Sequence, residues 1–104
     1  MLLSKSLKKK TKYYDVDGSK IIKLLPSELK EKGYKIKEST STYMIVDTPS
    51  SIWSWGEEIT ISVNNENQKC GVTVTSDVKY QLTDWGKSEE NIDKIFSLID
   101  GLVK

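Results

Sequence analysis

The last third of the chain leaves the fewest architectural options. Val72-Thr73-Val74-Thr75-Ser76 alternates apolar and polar, and Asp84-Trp85-Gly86-Lys87 follows a short polar link. Ile92, Ile95, Phe96, Ile99, Leu102 and Val103 then recur at helical spacing. A period of two requires a strand with one packed face, and a period near 3.6 requires a helix with an apolar stripe. The chain therefore closes with a strand, a tight corner and a helix. Ser88 is the expected N-cap, with Glu89 and Glu90 in a first turn where the helix dipole favours anions. Trp85, seven residues before Ile92, extends the stripe if the helix begins early. Two elements with one apolar face each need a second layer to bury them.

The upstream pattern supplies that layer. Thr11 to Val16, with Tyr13 and Tyr14, has strand composition and suits a first, edge strand. Asp17-Gly18-Ser19 turns the chain and offers Ser19 as N-cap to a helix carrying Ile21, Ile22, Leu25 and Leu29, stopped at Gly33. Pro26 removes one backbone hydrogen bond, which predicts a kink or a split with Ser27 capping a second turn. Tyr34–Glu38 and Thr42–Thr48 flank a turn at Ser39–Ser41. Glu57–Asn64 alternates cleanly, and Asn64–Asn67 signals a turn because asparagine tolerates positive φ. Cys70, Val72 and Val74 alternate next. The expected order is β-α-β4-α: an α+β domain over residues 11–104, an antiparallel meander of four to five strands with two helices on one face. Residues 1–10 are expected to form a loosely ordered basic segment. At fold level this order resembles TATA-binding-protein-like domains and short members of the helix-grip class, which includes the pollen-allergen and START-type lipid carriers.

Absent residue types narrow the chemistry. The chain has no histidine, so it lacks the commonest general base and metal ligand, and one cysteine cannot build a Cys/His zinc site. Cys70 alone forms no internal disulfide, which fits a reducing, cytoplasmic setting. All sixteen basic residues are lysine, so the planar fork favoured for phosphate and guanine is missing. Charge is segregated: residues 1–37 carry eleven lysines against Asp15, Asp17, Glu28 and Glu31, a net of +7, whereas residues 38–104 sum to −6. Either the halves attract each other or the lysines form a patch for an acidic partner. No apolar run is long enough to span a membrane, and the apolar part of residues 1–10 is too short for a secretory signal.

Two segments stand out as candidate sites. Pro49-Ser50-Ser51-Ile52-Trp53-Ser54-Trp55-Gly56 places two tryptophans two apart, on one side if extended, with large apolar faces and indole donors. These rings plug the end of the sheet, line an apolar cavity or dock a partner. In Asp84-Trp85-Gly86-Lys87 with Asn91, Lys87 and Asn91 share a helix face and could meet a polar ligand, or the motif simply locks strand to helix. Ser76, Asp84-Trp-Gly-Lys87 and Asn91 together resemble small uncharacterised prokaryotic domains ending in an S…DWGK…N motif, a domain-of-unknown-function class that implies a fold and no activity.

The acid pairs Glu57–Glu58 and Glu89–Glu90 diverge as neighbours and do not form a two-carboxylate site. Cys70 has no histidine to activate it. The expectation is a non-enzymatic domain with no cofactor and no metal, although Asp15, Asp17 and Asp47 are the acids to check for a hard cation. Its ligand would be apolar or aromatic, held by Trp53, Trp55, Tyr80, Trp85, Lys87 and Asn91. The alternative is a protein-docking module using the Trp53/Trp55 loop, with a homodimer left open. Nucleic-acid binding is the weakest reading. It needs Lys8–Lys12, Lys35 and Lys37 aligned with Tyr34 or Tyr43 as a stacking platform, and the missing arginines count against it.

Overall fold

A computed structural model describes residues 7–49, 57–66, 69–78 and 87–103. The elements run β1 (Leu7–Tyr14), α1 (Gly18–Glu31), β2 (Lys35–Ser39), β3 (Tyr43–Asp47), β4 (Glu57–Glu66), β5 (Lys69–Val78) and α2 (Lys87–Leu102). All five strands form one antiparallel sheet in the order β1-β5-β4-β3-β2. The expected β-α-β4-α order stands, with the first strand at one edge beside the last. Both helices cover one face: α1 packs on β2, β4 and β5, and α2 on β5, β1 and α1.

Alternation decides which face that is. Met44 and Val46, Ile59 and Ile61, and Cys70, Val72 and Val74 are fully buried on the helix side. The opposite face carries Thr60, Ser62, Thr73 and Thr75, with the Thr11 and Thr73 hydroxyls 2.9 Å apart. From the helices come Leu25 and Leu29 of α1 and Ile92, Ile95 and Ile99 of α2, each fully buried. Burial of one such side chain contributes about 1.5–3 kcal/mol before entropy.

Four boundaries depart from expectation. β1 begins at Leu7, so residues 7–10 belong to the strand and not to a loose segment, and Asp15 and Val16 fall outside it. Lys10 and Lys12 lie opposite Val74 and Val72, on the helix side of an edge strand. There Lys10 reaches Asp93 at 3.0 Å and Lys12 reaches Asp100 at 3.4 Å, so acids of α2 replace an apolar lining. Secondly, α1 runs unbroken through Pro26, because Leu25 and Leu29 on either side are fully buried and packing outweighs the lost Ile22 carbonyl bond. Its N-cap is Asp17, whose carboxylate accepts from the Ser19 N–H and hydroxyl, both at 2.9 Å. Thirdly, β4 continues through Asn64 and Asn65 to Glu66. Fourthly, Ser88 lies inside α2 and is not its cap.

Two ends of the sheet are built differently. At one, the Gly18 N–H donates to Asn65 Oδ1 at 2.9 Å while Asn65 Nδ2 donates to Asp17 at 3.2 Å, latching the start of α1 to the β4–β5 hairpin. The β2–β3 hairpin shares this end, its turn closed by Thr40, whose N–H donates to the Tyr43 carbonyl and whose hydroxyl accepts from the Thr42 and Tyr43 N–H groups. At the other end α1 stops as its sequence implies. Gly33 takes φ 93°, its N–H donates to the Lys30 carbonyl, and the Tyr34 N–H donates to the Leu29 carbonyl at 2.9 Å. That is a Schellman cap, which brings Tyr34 against the last buried turn of the helix.

Candidate ligand-binding site

Register brings the ends of four strands together where α1 stops. Lys35 at the start of β2 pairs with Asp47 at the end of β3; Asp47 pairs with Glu58, and Glu57 at the start of β4 pairs with Val78 at the end of β5. Residues 50–56 link β3 to β4 and residues 79–86 link β5 to α2, so both connections are anchored at this end. All three tryptophans of the chain lie in them. α1 reaches the same place, since a Cβ added to Gly33 would lie 3.5 Å from Pro49.

Of the six candidate residues, Trp53, Trp55, Tyr80 and Trp85 lie outside the described residues, as do Asp84 and Gly86 of the corner motif. Lys87 is the first residue of α2, and Asn91 follows four residues later, half-buried beside the core residue Ile92.

Two polar residues on the helix side gain weight from the structure. Ser76 is fully buried, one strand over from Ile59. Tyr34 is 8% exposed, and burial pushes its phenol above the ordinary range. Sequence reasoning placed Tyr34 at a strand entrance; the signal that could have found it is glycine followed by an aromatic at a helix stop, the C′–C″ pair of a Schellman cap. The structure removes Tyr34 from the stacking platform and engages Tyr43 and Lys37 in local pairs. Tyr34 is buried under α1, whereas the Tyr43 hydroxyl donates to Glu38 and Lys37 pairs with Glu58 at 2.7 Å, on the helix-free side. The hard-cation grouping also separates, since Asp17 caps α1 at the latched end and Asp47 ends β3 at the other.

The seam between α2 and β1 is stapled. Besides the Lys10 and Lys12 pairs, the Tyr14 hydroxyl donates to Asp100 at 2.7 Å, and the Lys12 ammonium lies 5.4 Å from the Phe96 ring centre. These pairs join lysines of the basic half to acids of the acidic half, so the two halves attract each other at this seam. Burial first, then the hydrogen bond to Asp100, push the Tyr14 phenol well above its usual range. Between sheet and helices the described layer is filled: Leu25, Leu29, Met44, Ile61, Val72, Ile95 and Ile99 show no exposure above 1%.

Reactive groups are few. Burial pushes the Cys70 thiol up, which keeps it protonated and a poor nucleophile. Among the described residues no cluster of three or more acids or cysteines is placed to hold a metal ion. No helix among them is long and apolar enough to cross a membrane.

No protein-family model matches the chain, and no curated protein matches its sequence. Solved structures resemble it in shape. A Staphylococcus epidermidis protein determined by solution NMR has a TM-score of 0.58 at 12% identity, over 98% of this chain and 92% of that one. The crystal structure of Ara h 8.0201 has a TM-score of 0.56 at 9% identity, over 96% and 98%. Such low identity speaks to fold alone, and the fold is a helix-grip-like α+β sheet with its last helix packed across it.

Proposed function

We propose that this chain is a non-enzymatic binding domain that holds an apolar or aromatic small molecule at the sheet end anchoring its tryptophan-bearing connections. Trp53, Trp55, Tyr80 and Trp85 are the apolar contacts, with Lys87 and Asn91 at the start of α2 as polar ones. One observation carries the reading: strand register anchors both connections, and with them every tryptophan of the chain, at the same end of a helix-grip-like sheet. Tryptophan combines the largest apolar face with a donor that fixes orientation, which is what a ligand cradle needs. A buried, protonated thiol and a chain without histidine favour binding over catalysis.

Tryptophan emission reports on the two connections anchored at this end, because every tryptophan of the chain lies in them. Titration with long-chain fatty acids and with naphthalene-type aromatics should shift or quench it saturably. Native mass spectrometry of protein from its own host should show a retained small-molecule mass that is lost on denaturation. Flat titrations over the panel together with a bare monomer mass refute the reading. They would favour the second one, a protein-docking role for the Trp53/Trp55 loop, which the side-chain-filled layer supports.

A further inference from the structure

Among the described residues, none is hydrogen-bonded to the Tyr34 hydroxyl. Its ring is accounted for: as the residue after Gly33 in the Schellman cap it packs with Leu29 in the core, and phenylalanine would fill that place equally well. The other tyrosines in the described segments are spoken for. Tyr14 donates to Asp100, Tyr43 donates to Glu38, and Tyr13 is 63% exposed and meets water. Tyr34 is 8% exposed, and among the described residues its hydroxyl forms no hydrogen bond. A buried hydroxyl without a partner carries a desolvation penalty that a phenyl ring avoids.

Its position matters as much as its isolation. Tyr34 precedes β2, whose first residue pairs with Asp47, and the Gly33 backbone approaches Pro49 where β3 leaves the sheet. Tyr34 therefore belongs to the sheet end assigned above to the ligand. Burial pushes this phenol above its ordinary range, so it keeps its proton and can donate to an acceptor on the ligand.

We infer that the Tyr34 hydroxyl is the hydrogen-bond donor that anchors the polar end of the bound molecule, and that this molecule has an apolar body and a carbonyl-type acceptor such as a ketone or ester. The inference rests on the ligand-binding reading and sharpens it.

The probe is prodan, a naphthalene bearing a ketone whose emission moves to the red when the carbonyl accepts a hydrogen bond. The comparison probe is dimethylaminonaphthalene, which lacks the ketone. Tyr34→Phe should weaken prodan binding about 3- to 10-fold, the worth of one neutral hydrogen bond. It should also shift bound prodan to the blue, leave dimethylaminonaphthalene affinity unchanged and leave the ligand-free melting temperature equal or higher. Equal prodan affinity and emission in both proteins would overturn the anchor while leaving the ligand site standing. A ligand-free variant that melts several degrees lower would overturn it too, by showing that the hydroxyl already has a structural partner. Failure of both naphthalenes to bind the unmutated protein would instead refute the underlying reading.

Discussion

Gly18 is where the first helix comes closest to the sheet, and replacing it with alanine tests how tightly the latched end is built. A Cβ at this position would stand 2.8 Å from Cys70 Sγ, 2.9 Å from Val63 Cβ and 3.0 Å from Val63 Cγ2. Val63 Cβ is bonded directly to the strand backbone and cannot swing away. The start of α1 would have to lift, stretching the 2.9 Å bond from the Gly18 N–H to Asn65. Overpacking of this kind costs about 1–3 kcal/mol. The helix-forming advantage of alanine over glycine, at most about 1 kcal/mol and smaller in a first turn, opposes it. Gly18→Ala should therefore destabilise the protein by about 1–2 kcal/mol, a fall of roughly 5–15 °C in melting temperature for a domain of this size. Urea unfolding followed by far-ultraviolet circular dichroism reads the change. Cys70→Ala removes the nearest obstacle, so the double variant should show a coupling of about 0.5 kcal/mol or more in the relieving direction. A neutral or stabilising Gly18→Ala, additive with Cys70→Ala, would show that the helix start has room the distances deny.

Pro26→Ala should raise stability by about 1–3 kcal/mol in urea unfolding, by restoring an N–H to the Ile22 carbonyl inside a continuous helix; an unchanged or lower midpoint would mean that the ring's own packing outweighs the bond. Tyr14 keeps its proton in the folded protein to higher pH than in the unfolded chain, chiefly through burial and then Asp100. Its contribution is complete below about pH 10 and is lost as pH rises further, so Tyr14→Phe should flatten the alkaline fall in stability, and an unaltered alkaline slope would remove Tyr14 from the account. Asp17 behaves oppositely: hydrogen bonds from Ser19, then Asn65, hold its carboxyl below the usual range. The stability it confers is present above about pH 4 and lost as pH falls further, so Asp17→Ala should lower the melting temperature at neutral pH and shrink its acid dependence; parallel profiles for the two proteins would contradict this.

What the sequence made legible follows from period. The stripe of α2, the alternation of β4 and β5 and the stop at Gly33 needed no tertiary information, because each is a local pattern with one structural solution. The errors share a cause, which is that distant partners decided them. Pro26 argues locally for a break, but Leu25 and Leu29 keep the helix intact. Asn64 and Asn65 argue locally for a turn, yet strand pairing carries them on to Glu66, and the Asn65 amide is spent on α1, 47 residues earlier. Leu7-Lys-Lys-Lys-Thr-Lys-Tyr-Tyr14 shows no apolar alternation, since the counterparts of its helix-side lysines are Asp93 and Asp100, more than 80 residues away. At the candidate site, the tryptophans drew attention through rarity and size alone. Tyr34 did not, because an unpaired hydroxyl is a property of surroundings.

The pairing of the first strand with the last fixes an order of events on the ribosome. Tyr14 meets Cys70 and Leu7 meets Asp77, so β1 is synthesised more than 50 residues before its partner is complete. The hairpins β2–β3, β3–β4 and β4–β5 each close over a short span, while docking β1 closes the longest loop in the sheet. Until then the strand waits in water as an unpaired edge, the form in which chains are most prone to join one another. Four lysines in eight residues keep it soluble and apart from its copies. When Asp93 and Asp100 arrive on α2, the charges that kept β1 in solution become the contacts that fasten the seam.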